Sequence, residues 1–263
     1  MLYQNTQTKG FNLRDITSKL AKCLLILMLA ISLVHSSEIA TLLKTPRDEK
    51  FSSEAFLPDK FDAREKWPNC FDSLPDLKTY SSNDVLPAQI LSERFCIMDP
   101  SSYNIHLSSQ QIVECATEGG WKYLSKNGVM TKGCYPDFPR KTVCDDKCLD
   151  NKAFETRYFA KGLRNVTYSI REELMAKGPV SAPLKLGASF KSYTDGIFSD
   201  CGGTRGTVET VKIVGWNREG DVPYWIVSTN RGSDWGENGY AKVQQTVSCS
   251  LFLEDAYAAD PKI

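Results

Sequence analysis

Residues 223–240, PYWIVSTNRGSDWGENGY, contain the pattern that decides the fold of this chain. The stretch starts with a short apolar run, Tyr224–Val227, and a second run, Tyr240–Val243, follows after residues that include Gly, Asp and Asn. Short apolar runs separated by turn residues are typical of β-strands. Val211–Trp216 has the same character, so the C-terminal half of the chain is predicted to be rich in strands.

The N-terminal half instead carries a helical pattern. From Asp84 to Ile97 the apolar residues recur at helical spacing, with Leu86 and Ile90 on one side. Pro87 has no backbone N–H and fits best in the first turn of a helix. We therefore expect this helix to begin at or after Asp84.

Two further helices are predicted from capping signals. Ser108–Gln111 and Ser169–Glu172 both resemble a capping box, and Gly178-Pro179 would end the second helix. Helices in the first half and strands in the second indicate an α+β protein of two packed lobes.

Composition excludes several classes of protein. With 263 residues and 41% hydrophobic content, the chain can bury a sizeable core and is not expected to be disordered. Lys and Arg together number 32, as do Asp and Glu, so the formal net charge is zero. This balance gives no indication of nucleic acid or anionic membrane as a partner.

The N-terminus predicts a secretory signal. Lys19 and Lys22 precede the apolar run Cys23–Val34, and small residues follow it. A signal anchor or a buried helix is the alternative, but the run is shorter than the roughly 20 residues that span a bilayer. We assign residues 1–36 to the signal peptide and residues 37–56 to a short polar leader.

The cysteines are consistent with an oxidising compartment. Once Cys23 has been removed with the signal peptide, eight remain, an even number that allows four disulfides. A zinc site is not favoured, because Cys144 and Cys148 are four residues apart and no histidine lies nearby. The sequence from Asn165 to Thr167 is an N-glycosylation sequon, which has meaning only in a secreted chain.

An ordered series of motifs runs through most of the chain. Its segments are Leu57–Cys70, Ser92–Ile97, Gly178–Val180, Tyr193–Phe198, Pro223–Val227 and Ser233–Tyr240. This series resembles the papain-like cysteine peptidases, and the cathepsin B type in particular. The resemblance covers residues 57–258 and implies a papain-like domain at 57–263, with a helical lobe at about 70–168 and a β-barrel-like lobe at about 169–258.

The resemblance also implies how the cysteines pair. One bridge of the family is absent here, because its two positions are occupied by Thr79 and Thr117. The implied pairs are Cys70 with Cys96, Cys115 with Cys144, Cys134 with Cys148 and Cys201 with Cys249.

Papain-like hydrolysis requires a thiolate, an imidazole, an amide that orients the imidazole and a glutamine that donates to the oxyanion. Alignment with the family places a different residue type at each of these positions. They are Ser82 at the nucleophile, Glu209 at the histidine, Thr229 at the orienting asparagine and Asp76 at the oxyanion glutamine, with Asn83 and Arg231 at two neighbouring tryptophans.

From these replacements we expect a secreted, catalytically inactive pseudoprotease that acts as a binding, decoy or structural protein. The two histidines do not restore the dyad, because His35 lies in the predicted signal and His106 precedes a predicted cap. The alternative is a peptidase with residual activity, either of the cysteine type, as resemblance to the family alone implies, or with Ser82 as a substituted nucleophile. An error in the gene sequence near residues 72–86 is a third explanation, but it would not account for Glu209 and Thr229.

The peptide groove is the part of the site that is expected to remain. By resemblance, Gly119 and Gly120 let a peptide backbone approach closely, and Glu254 favours basic side chains. The alternative is that Gly119 and Gly120 form a simple turn and that Glu254 is a solvated charge. We expect peptides or proteins in this cleft as partners, a monomer, no cofactor and no metal, and an extracellular or lysosome-like location.

Overall fold

The computed structural model describes residues 57–71, 74–138, 143–145, 147–148, 156–246, 249 and 255–262. The predicted signal peptide and leader lie outside these residues. The described chain starts with strand β1 (Phe61–Asp62) and the helical turn α1 (Ala63–Lys66). Asp62 caps this turn by accepting a hydrogen bond from the backbone N–H of Arg64.

Four further helices follow, and two of them begin directly after the serines that were predicted as caps. Ser108 accepts a hydrogen bond from the Gln111 backbone N–H at 3.0 Å, as its capping box predicts, whereas Ser169 makes no side-chain cap bond. Gly178, with φ of 96°, lies directly after the last helix and ends it. The helices are α2 (Ser82–Met98), α3 (Ser109–Cys115), α4 (Gly120–Lys126) and α5 (Ile170–Lys177).

The start of α2 differs from the expectation. Ser82 is its first residue, because the backbone N–H groups of Asp84 and Val85 donate to the carbonyl of Ser81 at 3.0 and 3.1 Å. These first-turn bonds join residues that precede Pro87, so they do not require the backbone N–H that proline lacks. Pro87 lies inside the helix and lacks only the single N–H that would have reached the carbonyl of Asn83.

Seven strands follow β1 in the described residues. They are β2 (Phe159–Asn165), β3 (Val180–Leu186), β4 (Ile197–Phe198), β5 (Thr207–Glu219), β6 (Val222–Ser228), β7 (Tyr240–Gln244) and β8 (Tyr257–Lys262). They form one mixed sheet in the order β2-β8-β3-β5-β6-β7-β4, with β1 added beside β5. Among the described residues its end strands β2 and β4 do not pair, so the sheet is open and the expected barrel-like closure is wrong.

The apolar residues form two main cores, one in each half of the fold. The helical core includes Leu91 and Leu124, both fully buried, and the sheet core includes Ile213 and Val227. Full burial of such a side chain stabilises the folded state by about 1.5–3 kcal/mol. The mixed helix and sheet architecture predicted from the sequence is confirmed.

Buried charges of α2 hold the helix against the sheet half. Arg94 is 1% exposed and donates to the Glu173 carboxylate at 2.8 Å and to the Pro179 carbonyl at 2.8 Å. Glu93 pairs with Lys212 of β5, and burial lowers the pKa of this lysine while Glu93 opposes the shift. Both contacts fix the C-terminal half of α2 relative to the sheet.

Candidate active site

An open cleft of about 830 Å³ lies where α2, α4 and the sheet meet. Its walls bring together residues that are far apart in the sequence. They include Ser82 and Asn83 from α2, Trp121 from α4, Glu209 from β5, Arg231 and Tyr257.

Ser82 occupies the first position of α2, at the wall of this cleft, and is 8% exposed. The N-terminal end of a helix carries a partial positive charge that favours negative charge nearby. An oxyanion that develops at the Ser82 hydroxyl would therefore be stabilised by α2. The predicted start of α2, at or after Asp84, would have left Ser82 outside this influence, and it is wrong.

The hydroxyl of Ser82 donates to the side-chain oxygen of Asn230, with an Oγ–Oδ1 distance of 3.1 Å. The side-chain nitrogen of Asn230 donates in turn to the carbonyls of Leu77 and Tyr80 at 2.9 and 2.8 Å. Because both carbonyls can only accept, they fix which end of the amide faces Ser82. Asn230 was not among the predicted site residues, since the alignment put the preceding residue, Thr229, at the position of the orienting asparagine.

Glu209 is paired with Arg231. The two side chains form a bidentate ion pair, with 2.9 Å between Arg231 Nη2 and Glu209 Oε2. The guanidinium also lies 5.3 Å from the ring centroid of Trp235 and 5.7 Å from that of Phe190. The residues at the histidine position and at a neighbouring tryptophan position therefore contact each other directly.

Thr229 and Asp76 do not join Ser82 and Glu209 at the cleft wall. Thr229 is 1% exposed, and its Oγ1 has no hydrogen-bond partner among the described residues. The Asp76 carboxylate is exposed and lies 3.5 Å from the ammonium of Lys78. Of the four positions selected by alignment, the structure brings two to the cleft.

The remaining predicted site residues are scattered. Gly119 and Gly120 lie at the start of α4, next to the cleft residue Trp121. His106 lines a different cavity, beside Cys70 and Glu93. Glu254 lies outside the described residues, so its role stays a prediction.

The four disulfides link the pairs that the family resemblance implied. They join Cys70 to Cys96, Cys115 to Cys144, Cys134 to Cys148 and Cys201 to Cys249. Each such bridge typically stabilises a fold by about 2–4 kcal/mol. Within the described residues, no helix is both long and apolar enough to cross a membrane, and no cluster of side chains is suited to hold a metal ion.

A helical half and a sheet half on either side of a cleft, with a serine hydroxyl at the start of the long helix, are typical of the class of two-lobed peptidases. Residues 57–259 match the model of the papain family of cysteine proteases. The chain therefore belongs to the papain family.

Named relatives and a solved structure agree with this assignment. Cathepsin B-like cysteine proteinase 6 of Caenorhabditis elegans is 28% identical, over 73% of this chain and 63% of that protein. Cathepsin B-like cysteine proteinase 4 of the same organism is 29% identical, over 76% of this chain and 74% of that protein. The structure of procathepsin B S9 from Trypanosoma congolense is 24% identical, covers 82% of this chain and 81% of that one, and has a TM-score of 0.68.

The comparisons contradict the expectation that the chain is not an enzyme. That expectation rested on the replaced dyad, but the matching family is one of cysteine proteases and the relatives are named cysteine proteinases. No contact of the described residues is positive evidence for a decoy or structural role. The alternative from the sequence, a peptidase of this family, agrees better with these findings.

Proposed function

We propose that this chain is a papain-family peptidase that hydrolyses peptides in the cleft, with Ser82 as its nucleophile. The observation that carries the proposal is the position of the Ser82 hydroxyl, at the start of α2 and in the wall of the cleft. The family match supports the reaction class. Because the chain spans only 63% of its relative proteinase 6, the activity of the whole relative is not transferred without a test.

The reaction has two balanced steps. Ser82 Oγ attacks the carbonyl carbon of the scissile bond, an ester forms, and the amine leaves with the proton of the hydroxyl. Water then cleaves the ester, which restores the hydroxyl and releases the peptide carboxyl group. We assign Glu209, a carboxylate in the wall of the same cleft, as the proton acceptor, although both of its oxygens accept hydrogen bonds from Arg231.

Turnover by this site is expected to be slow. Carboxylates have an ordinary pKa of about 4.3, against about 6.5 for imidazole, so they are weaker proton acceptors. In the described part of the chain, the one imidazole is that of His106, which lines another cavity. We expect a rate far below the roughly 1–10³ per second that is typical of enzymes.

The substrate and compartment are proposals of the same kind. Gly119 and Gly120 would let a peptide backbone approach, and Glu254 would favour basic side chains. Four disulfides fit a secreted or lysosome-like protein, because such bonds persist in oxidising compartments. Asn165 lies at the exposed end of β2, where it is available for N-glycosylation.

Hydrolysis of fluorogenic dipeptides by the wild-type protein and by Ser82→Ala tests the proposal. We expect measurable release of the fluorophore by the wild type and only background release by the variant. Equal turnover by the two proteins, or none by either, would contradict it.

A further inference from the structure

The side chain of Trp121 joins two walls of the cleft. Its indole Nε1 donates to the hydroxyl of Ser181 at 2.8 Å, and this hydroxyl donates to the Tyr257 carbonyl at 3.2 Å. Trp121 belongs to α4, Ser181 to β3 and Tyr257 to β8. All three line the cleft, so the contact runs from the helical half to the sheet half at this point.

The backbone before Trp121 determines where the indole lies. A Cβ atom on Gly120 would come within 2.9 Å of both the Asn83 carbonyl oxygen and Cγ of Pro87. Only glycine therefore allows α4 to pack this closely on α2. Trp121 also packs against the helical core, which further limits movement of its ring.

We infer that Trp121 is a specificity-determining residue of this cleft and restricts the peptide side chain beside it to small residues such as glycine, alanine or serine. Ser181 is 4% exposed and holds the ring from the opposite wall. A bulky substrate side chain would have to displace the indole and break its hydrogen bond. This inference rests on the proposed function, because it specifies the substrates of the same cleft.

The size of the effect follows from the steric nature of the contact. One methylene group in a substrate pocket changes selectivity by about 10-fold to 200-fold. A phenylalanine in place of alanine adds much more volume than that. We expect the wild type to bind at least one bulky peptide about 10-fold or more weakly than the corresponding small one.

Binding measurements on blocked peptides test this inference without requiring turnover. The probes are an end-blocked alanine tripeptide and its three single phenylalanine variants, with dissociation constants measured by calorimetry. Trp121→Ala should bind all four with similar affinity, because the barrier has been removed. Ser181→Ala should show weaker selectivity than the wild type, because its side chain no longer accepts the hydrogen bond from the indole. This variant tests the inference if Trp121→Ala does not fold.

Trp67→Ala is the matched control, since Trp67 lines a separate cavity beside Pro68 and Pro100. It should retain the wild-type preference for small side chains. Unchanged selectivity in both cleft variants, or no binding of any probe by the wild type, would overturn the inference. Selective binding without hydrolysis would support the inference and contradict only the proposed function.

Discussion

The carboxylate of Glu209 and the guanidinium of Arg231 meet at the cleft wall, with 2.9 Å between Oε2 and Nη2. Their side chains are 20% and 14% exposed, so neither charge is fully solvated. Lys212 of β5 pairs with Ser228 of β6. Glu209 lies three residues before Lys212, and Arg231 lies three residues after Ser228. The register of this hairpin therefore places two of the replaced family positions opposite each other.

The double change at this ion pair should destabilise the protein less than the sum of the two single changes, because each single change already breaks the pair. In a double-mutant cycle of Glu209→Gln and Arg231→Gln, we expect a coupling energy of about 1–2 kcal/mol, measured by urea denaturation. The control pair is Asp76 and Lys78, whose side chains are 60% and 65% exposed. Its coupling should be about zero to 1 kcal/mol, as for surface pairs. Additive costs at Glu209 and Arg231 would show that the pair does not contribute.

Asn230 should be more sensitive to substitution than its position in a loop suggests. Asn230→Ala removes the side-chain donor from the carbonyls of Leu77 and Tyr80, and Asn230→Asp places acceptors against acceptors. We expect the unfolding free energy to fall by about 2–4 kcal/mol, and the larger loss is expected for Asn230→Asp.

The exposed Asn127 provides the comparison for Asn230. Asn127→Ala should change the unfolding free energy by only about 0.5 kcal/mol or less. An equally small effect of Asn230→Asp would mean that the amide does not hold the loop beneath Ser82.

Acid should weaken the contacts that Asp260 of β8 makes with Arg164 of β2 and Lys177 of α5. Burial alone would raise the pKa of Asp260, but hydrogen bonds from Arg164 and Lys177 lower it overall, at 2.8 and 2.9 Å. A carboxyl group with a lowered folded-state pKa stabilises the fold above its ordinary value of about 3.9, and the contribution is lost as the pH falls through the lower folded value.

Unfolding free energies measured across this acid range provide the test. Asp260→Asn should be less stable than the wild type at neutral pH, and its stability should fall less in acid. The fully exposed Asp221 supplies the control, and Asp221→Asn should follow the wild-type curve. A pH profile of Asp260→Asn parallel to that of the wild type would contradict the assignment.

Local signals in the sequence predicted local structure well. The capping box at Ser108 gave the start of α3, and the apolar runs gave the positions of β5, β6 and β7. The predicted start of α2, at or after Asp84, was wrong because Pro87 does not prevent the residues before it from being helical. A proline removes one hydrogen bond, and the bonds from Asp84 and Val85 to Ser81 already form the first turn.

Contacts across the chain could not be predicted in the same way. The pairing of Glu209 with Arg231 depends on strand register, and the sequence analysis identified both residues without placing them together. The bond from Trp121 to Ser181 joins residues 60 positions apart, and only the adjacent Gly119-Gly120 pair marked this region. Openness of the sheet is likewise a property of strand pairing rather than of any single strand.

The central claim is that Ser82 is the nucleophile of a peptidase. The most direct measurement is the rate at which purified wild type, Ser82→Ala and Ser192→Ala release a fluorophore from blocked dipeptides. Ser192 is an exposed serine whose hydroxyl donates to the Ser189 carbonyl, so it controls for loss of a serine elsewhere. We predict slow turnover by the wild type and Ser192→Ala and background release by Ser82→Ala. Turnover that persists in Ser82→Ala, or is absent from the wild type, would contradict the claim.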